Sequence, residues 1–317
     1  MGIGEPPDGS VSHARVSQRR AAACHKRRPF VVLGADTEPT PKRVRRTDAM
    51  TRLVLVHGAW HGAWAWDKVT TWLEPHGVEC CAISLPGSEG PSLHNANGQA
   101  VTLVDQARTL IETLRSARPA VVVAHSHGGL VVQEAAAMDR DLVSAVIAID
   151  AWFAERDEAF METVPDGMRQ WLRSAVRQTN GMTVIPPPPP AAFGINDASL
   201  AAEVRSRLAE QPLGTFDAPS SGFNFAQAGI PGVAIVCEPR TLPFDRLAER
   251  HGFSIRSITS GHNVMLLEPR RLASVLLQSV RHLDFIAGTS GERVRRTPVP
   301  RSDVGPRGKH VSRQARP

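Results

Sequence analysis

Tyrosine is absent from this 317-residue sequence, cysteine occurs only four times, and aromatic residues make up 5% of the chain. The four thiols (Cys24, Cys80, Cys81 and Cys237) fall at no CxxC or other metal-ligand spacing, and Cys80 and Cys81 stand side by side in an apolar run. This argues against a disulfide scaffold or a zinc ribbon and points to a reducing compartment, the cytoplasm. No run of eighteen apolar residues occurs, so a membrane-spanning helix is not expected. No apolar stretch follows the basic N-terminal residues, which argues against a secretory signal. With these classes set aside, a chain that is 42% hydrophobic is long enough to bury a substantial core.

The formal charge is +6, but it is unevenly placed. Residues 1–49 carry ten Lys/Arg and five Asp/Glu, and residues 288–317 carry eight and two. The stretch between is therefore mildly acidic, with 19 basic and 24 acidic residues. Both ends are rich in Pro, Arg and Ser and lack a periodic apolar face. They cannot bury enough apolar surface to offset chain entropy, so both are expected to be disordered basic tails. Glu5, Asp8, Asp36 and Glu38 argue against an organellar transit peptide, and Met50 offers an alternative start just before the first strand. Solvated tails are the simpler reading of the basic charge, and nucleic acid is not expected as a partner.

From residue 50 to 287 the pattern is that of one domain. Short apolar runs (Leu53–Val56, Val78–Ile83, Ala120–Ala124, Val143–Ile149, Gly232–Val236 and Ser254–Ile258) alternate with helix-period stretches at Trp64–Leu73, Val101–Leu114, Leu130–Met138, Phe244–His251 and Arg270–Phe285. Strands apolar on both faces and separated by helices predict an α/β fold with a mostly parallel, doubly wound sheet. Ligands bind such sheets beyond the carboxyl ends of the strands. Residues 153–225 interrupt the alternation with helix-like pieces at Ala154–Thr163, Gly167–Gln178 and Ser199–Gln211. This predicts a small helical cap, in which Pro186–Pro190 is a rigid connector.

Three segments carry chemistry. In Ala124-His125-Ser126-His127-Gly128-Gly129 a strand turns sharply into a helix, the setting that raises a nucleophilic serine above a sheet. In His57-Gly58-Ala59-Trp60-His61-Gly62-Ala63-Trp64, the loop after the first strand can present a backbone N–H to the serine. The predicted oxyanion donors are the amides of Ala59 and His127. In Ser260-Gly261-His262-Asn263, His262 lies beyond the last strand and third in the order serine, acid, histidine, as a general base requires. The acid has two candidates at strand ends, Asp150 and, as the alternative, Glu238; Asp245 lies further on. Trp60, His125 and Trp152 are expected to line the pocket, with His57 and His61 structural or pocket-lining. Trp64, Trp66 and Trp72 are expected to pack along a helix face.

These residues resemble the α/β-hydrolase superfamily over nearly all of residues 51–285. The nearest likeness is to small bacterial esterases related to plant methyl-salicylate esterases and hydroxynitrile lyases. The double His-Gly loop and Ile149-Asp150-Ala151-Trp152-Phe153 carry it. Pro186–Pro190, Phe193-Gly194-Ile195, Gln211-Pro212-Leu213 and Thr215-Phe216 look like one bacterial subgroup. The resemblance implies an α/β-hydrolase fold with a cap and a serine hydrolase that cleaves a small uncharged carboxylic ester through an acyl-enzyme. Ser126, His262 and Asp150 would be the triad, and no metal or cofactor is implied. The wider family places an Asp after the penultimate strand, where this sequence reads Cys237-Glu238-Pro239-Arg240-Thr241; that departure favours Asp150 and leaves Glu238 open. The lyase relatives carry a threonine and a lysine where Gly58 and Asn263 stand, so a lyase is an alternative, as is a non-catalytic receptor on the same fold. The expected partner is the small-molecule ester, with no membrane and at most a second copy of the chain.

Overall fold

The computed structural model describes residues 52–296 except 90–92, 96 and 118–119, with side chains up to Ile286. The expectations for residues 1–49, for Met50 and for 297–317 lie outside the described residues.

Along the chain, β1 (Arg52–Val56), α1 (Asp67–Leu73), β2 (Glu79–Ile83), α2 (Leu103–Ser116), β3 (Val121–His125), α3 (Gly128–Met138) and β4 (Ala145–Ile149) alternate. The cap follows, with α4 (Phe160–Thr163), α5 (Asp166–Ala175), β5 (Arg177–Thr179), β6 (Met182–Ile185), α6 (Ala198–Arg207), β7 (Gln211–Pro212) and α7 (Gly214–Asp217). The alternation resumes with β8 (Gly232–Glu238), α8 (Phe244–Arg250), β9 (Ser254–Thr259), α9 (Val264–Leu267) and α10 (Pro269–Arg296).

Six strands form one parallel sheet in the order β2-β1-β3-β4-β8-β9. Leu53 to Val56 and all of β4 are buried, as a strand covered on both faces must be. From β1 the chain steps outward to β2, then back past β1 to β3. Right-handed crossovers therefore put α1 and α2 on opposite faces. The reversal opens a crevice between the carboxyl ends of β1 and β3, the usual ligand position in an open α/β sheet. The register keeps those ends level: Val56 pairs with Ala124, Ala124 with Ala148, and Ile149 with Ile235. The residues that follow (His57, Ser126 and Asp150) thus emerge along one edge.

The cap corrects one expectation. It is not purely helical: β5, β6 and β7 form an antiparallel sheet. Asn180 and Gly181 have φ of +51° and +77°, the left-handed pair that closes a tight hairpin, so the helical pattern over Gly167–Gln178 ends early and Arg177–Thr179 is a strand. Helix α4 covers only four of the residues 154–163. Of the three tryptophans expected to pack, Trp64 and Trp66 are buried, but Trp72 is 43% exposed beneath the Arg270 guanidinium. At the other end, α10 runs nine residues beyond 287, so the first part of the segment read as a tail is helical backbone.

Helix α3 begins so close to β4 that its second residue has no room for a side chain. A Cβ on Gly129 would lie 2.3 Å from the Trp152 carbonyl and 3.0 Å from the Ala151 Cβ. Gly129→Ala should therefore destabilise the fold by about 1–3 kcal/mol through overpacking, read as a lower urea midpoint. An unchanged midpoint would contradict this packing.

Candidate active site

Ser126 occupies the turn between β3 and α3 with φ +52°. A non-glycine residue there is strained by about 1–3 kcal/mol, so its surroundings must hold it. They do so at both ends. The Ser126 N–H donates to Ile149 O (3.1 Å), and its carbonyl accepts from the N–H of Gly129 and of Trp152 (3.0 Å each). The loop after β1 presses on the same turn: a Cβ on Gly58 would come within 2.9 Å of the Ser126 Cβ. Among the described residues, neither the Ala59 amide nor the His127 amide donates to an acceptor.

Asp150 follows β4 with φ +40° and is 4% exposed. Its N–H donates to Ile235 O (3.0 Å), and its Oδ1 accepts from the Cys237 N–H (2.9 Å). Its Oδ2 lies 3.1 Å from His262 Nδ1, bringing together residues 112 apart in sequence. A carboxylate accepts, so Nδ1 carries the proton and Nε2 is left as a base. The imidazole stacks on Phe244 (12° between planes, 5.5 Å between centroids) and lies 4.7 Å from the His125 ring. Glu238 is turned elsewhere. Its carboxylate accepts from Arg240 Nε–H (2.8 Å), and Arg240 also pairs with Asp245. Burial and Asp150 together push the Cys237 thiol pKa up, so this thiol stays protonated.

Four further histidines pack around the serine, all buried. His57 Nδ1–H donates to Gly58 O (2.8 Å) and its Nε2 accepts from the Leu85 N–H (3.0 Å). His61 Nδ1–H donates to Ala59 O (2.7 Å), and its Nε2 accepts from Asn263 Nδ2–H (2.9 Å). His125 Nε2–H donates to His262 O (3.0 Å), and His127 Nε2–H to Thr215 O (3.1 Å). Burial holds His57 down to about 3, His61 and His127 to about 4, and His125 well below 6.5, so all four are neutral near pH 7.

Trp60 (φ +64°) is buried against Trp171, Phe193 and Phe216, and its indole N–H donates to Ile185 O (3.0 Å). Trp152 is 1% exposed, packed between Phe160 and Phe244 behind the serine turn, where its backbone rather than its ring meets Ser126. A cleft of about 510 Å³ reaches the Asp150–His262 pair from the β8 side, between Phe193 of the cap and Phe244, without touching Ser126. Among the described residues, no group of three or more His, Cys, Asp or Glu could hold a metal ion, and no helix is long and apolar enough to cross a membrane. Gln211 and Thr215 enter the sequence reading only as part of a subgroup pattern; their hydrogen bonds to Trp60 and His127, far away in sequence, carry no local signal.

The neutral histidines make stability depend on pH. Their folded pKa values lie below the unfolded value of 6.5, so the unfolded chain takes up protons first on acidification. Each such group costs about 1.4 kcal/mol per pH unit once the pH is below 6.5. The urea midpoint should fall steadily from pH 6.5 to about 4.5. A flat profile across that window would contradict the burial of these rings as neutral species.

The family described as "Alpha/beta hydrolase family" matches residues 53–275. A carbendazim hydrolyzing esterase from Nocardioides is 24% identical over 243 residues, covering 72% of this chain and 98% of the relative. A methyl jasmonate esterase from Vitis vinifera is 32% identical over 131 residues; this stretch is 40% of the chain and about half (48%) of that relative's length. Among solved structures, an extracellular α/β-hydrolase from a Paenibacillus species superposes with TM-score 0.64 at 18% identity, covering 72% of this chain and 98% of the other. A methylesterase from Arabidopsis gives 0.56 at 23%, covering 73% and 99%. The six-stranded parallel sheet and the match over most of the described chain agree: this protein belongs to the alpha/beta hydrolase family.

Proposed function

We propose that the protein is a serine hydrolase of small, uncharged carboxylic esters, with Ser126 as nucleophile, His262 as base and Asp150 as the acid that orients it. The observation that carries the reading is the 3.1 Å contact of His262 Nδ1 with a buried Asp150, at the strand edge that also holds Ser126 in its strained turn. The family and the esterase relatives support ester hydrolysis as the reaction class.

With its Nδ1 proton on Asp150, His262 takes the Ser126 hydroxyl proton at Nε2 as Oγ bonds to the ester carbonyl carbon. The carbonyl oxygen becomes an oxyanion and is received by the amides of Ala59 and His127, which have no acceptor among the described residues to release first. The N-terminus of α3 favours the same negative charge. Collapse breaks the bond to the alcohol, which leaves with the proton from His262. Water then gives its proton to His262 and attacks the acyl-enzyme, and the acid is released with the proton returned to Ser126. Among the described residues that line the cleft there is no Lys or Arg to pair with a charged acyl group, which is why the ester is assigned as uncharged. Gly58 and Asn263 provide no cation to hold a leaving cyanide, so the lyase alternative has no support of this kind.

Ser126→Ala should reduce hydrolysis of a short p-nitrophenyl ester by about 10⁴-fold or more. Undiminished turnover would rule the mechanism out. Asp150→Asn should lower kcat by about 10⁴-fold by favouring the wrong tautomer of His262, whereas Glu238→Gln should stay within about threefold of the native enzyme. The opposite ranking would move the acid to Glu238.

A further inference from the structure

We infer that Gln211, contributed by β7 of the cap, is a positioning residue for the oxyanion hole: it acts directly on the Ala59–Trp60 peptide and, through Thr215, on His127. This rests on the ester hydrolysis proposed above.

Trp60 is a bulky residue in a left-handed conformation, and the bonds that hold it there come from the cap. Its N–H donates to Gln211 Oε1 (3.0 Å), its carbonyl accepts from the Ala209 N–H (2.9 Å), and its indole reaches Ile185 O. The other end of the same peptide, Ala59 O, accepts from His61 Nδ1–H. The Ala59–Trp60 peptide is thus pinned at both its N–H and its carbonyl and cannot rotate without breaking a buried hydrogen bond. The Trp60 amide is committed to the cap, whereas the Ala59 amide of the same loop donates to no acceptor among the described residues.

Gln211 is itself oriented. It is 2% exposed, and its Nε2–H donates to Thr215 Oγ1 (2.6 Å), whose hydroxyl proton goes to Pro212 O (2.7 Å). The amide oxygen must therefore face Trp60. Two bonds along, Thr215 O accepts from His127 Nε2–H, so the same short cap segment also holds the residue that bears the second proposed donor. Removing the Gln211 side chain leaves the Trp60 amide buried and unpaired, so the strained Ala59–Trp60 peptide has a reason to turn; the Ala59 N–H, in the preceding Gly58–Ala59 peptide, is displaced through the Ala59 Cα that the two peptides share. A displacement of about 1 Å at a catalytic donor costs on the order of 100-fold in rate.

The test uses the full chain with a p-nitrophenyl ester, concentrations set by active-site titration, and a trifluoromethyl ketone that forms a tetrahedral adduct on the serine. In Gln211→Ala, kcat per titrated site should fall about 10- to 100-fold with KM within about threefold, and the ketone Ki should weaken by the same factor as kcat/KM. Thr215→Val, nearly isosteric, should move kcat and Ki in the same direction, and Thr215→Ser should restore both to within about threefold because it keeps the hydroxyl. If Gln211→Ala does not fold, Thr215→Val decides. Wild-type kcat and Ki per site in both Gln211→Ala and Thr215→Val, whatever their melting temperatures, would overturn the role of Gln211 alone. A ketone that inhibits the native enzyme no better than Ser126→Ala binds it would overturn the hydrolase reading, and this inference with it.

Discussion

Asp150 is a carboxylate nearly sealed from solvent, and a buried charge is tolerated only where its oxygens are matched by donors. Here one oxygen meets the backbone N–H of Cys237 and the other meets His262, while the residue's own N–H goes to Ile235 of β8. The parallel register sets up these contacts: because Ile149 pairs with Ile235, the residue after β4 stands beside the end of β8, within reach of the loop that leaves β9. If the register slipped by one residue, the side chains of β4 would exchange faces and the carboxylate would lose its partners.

The cap is tied to this edge through the helix that starts at the serine. On α3, Gln133 accepts from the Ala154 N–H and donates to Ala154 O and Phe223 O, gripping the two ends of the cap together. Its neighbour Glu134 accepts from both hydroxyls and one amide of Ser220 and Ser221. The cap also meets the histidine loop, where Phe193 O accepts from the Asn263 N–H (3.2 Å). The turn that displays Ser126, the loop that carries His262 and the segment that covers them are therefore joined by directional bonds as well as by apolar packing.

Much of the sheet could be read from the sequence, because strands buried on both faces leave continuous apolar runs and the helices between them keep a 3.6-residue period. The serine turn was readable for a related reason: it needs small residues at fixed offsets. The cap strands were harder to read. They are two to four residues long, and the Asn180-Gly181 hairpin signal lies beside a stretch with helical periodicity. The sequence favours Asp150 over Glu238 only through a departure from the family pattern, since both stand at strand ends; the fold adds the side-chain directions, with Glu238 turned to Arg240 and Asp150 turned to His262. The Gln211 contact joins residues 151 positions apart by a single side-chain oxygen, which leaves no local trace.

Hydrolysis as proposed depends on one hydroxyl being made nucleophilic by an imidazole from the far end of the domain. Its most direct test is peptide mass spectrometry after reaction with a fluorophosphonate. One adduct is expected, on the peptide bearing Ser126, and it is lost in His262→Ala. Vigorous ester hydrolysis with no adduct on Ser126, or an adduct that forms as fast without His262, would contradict it.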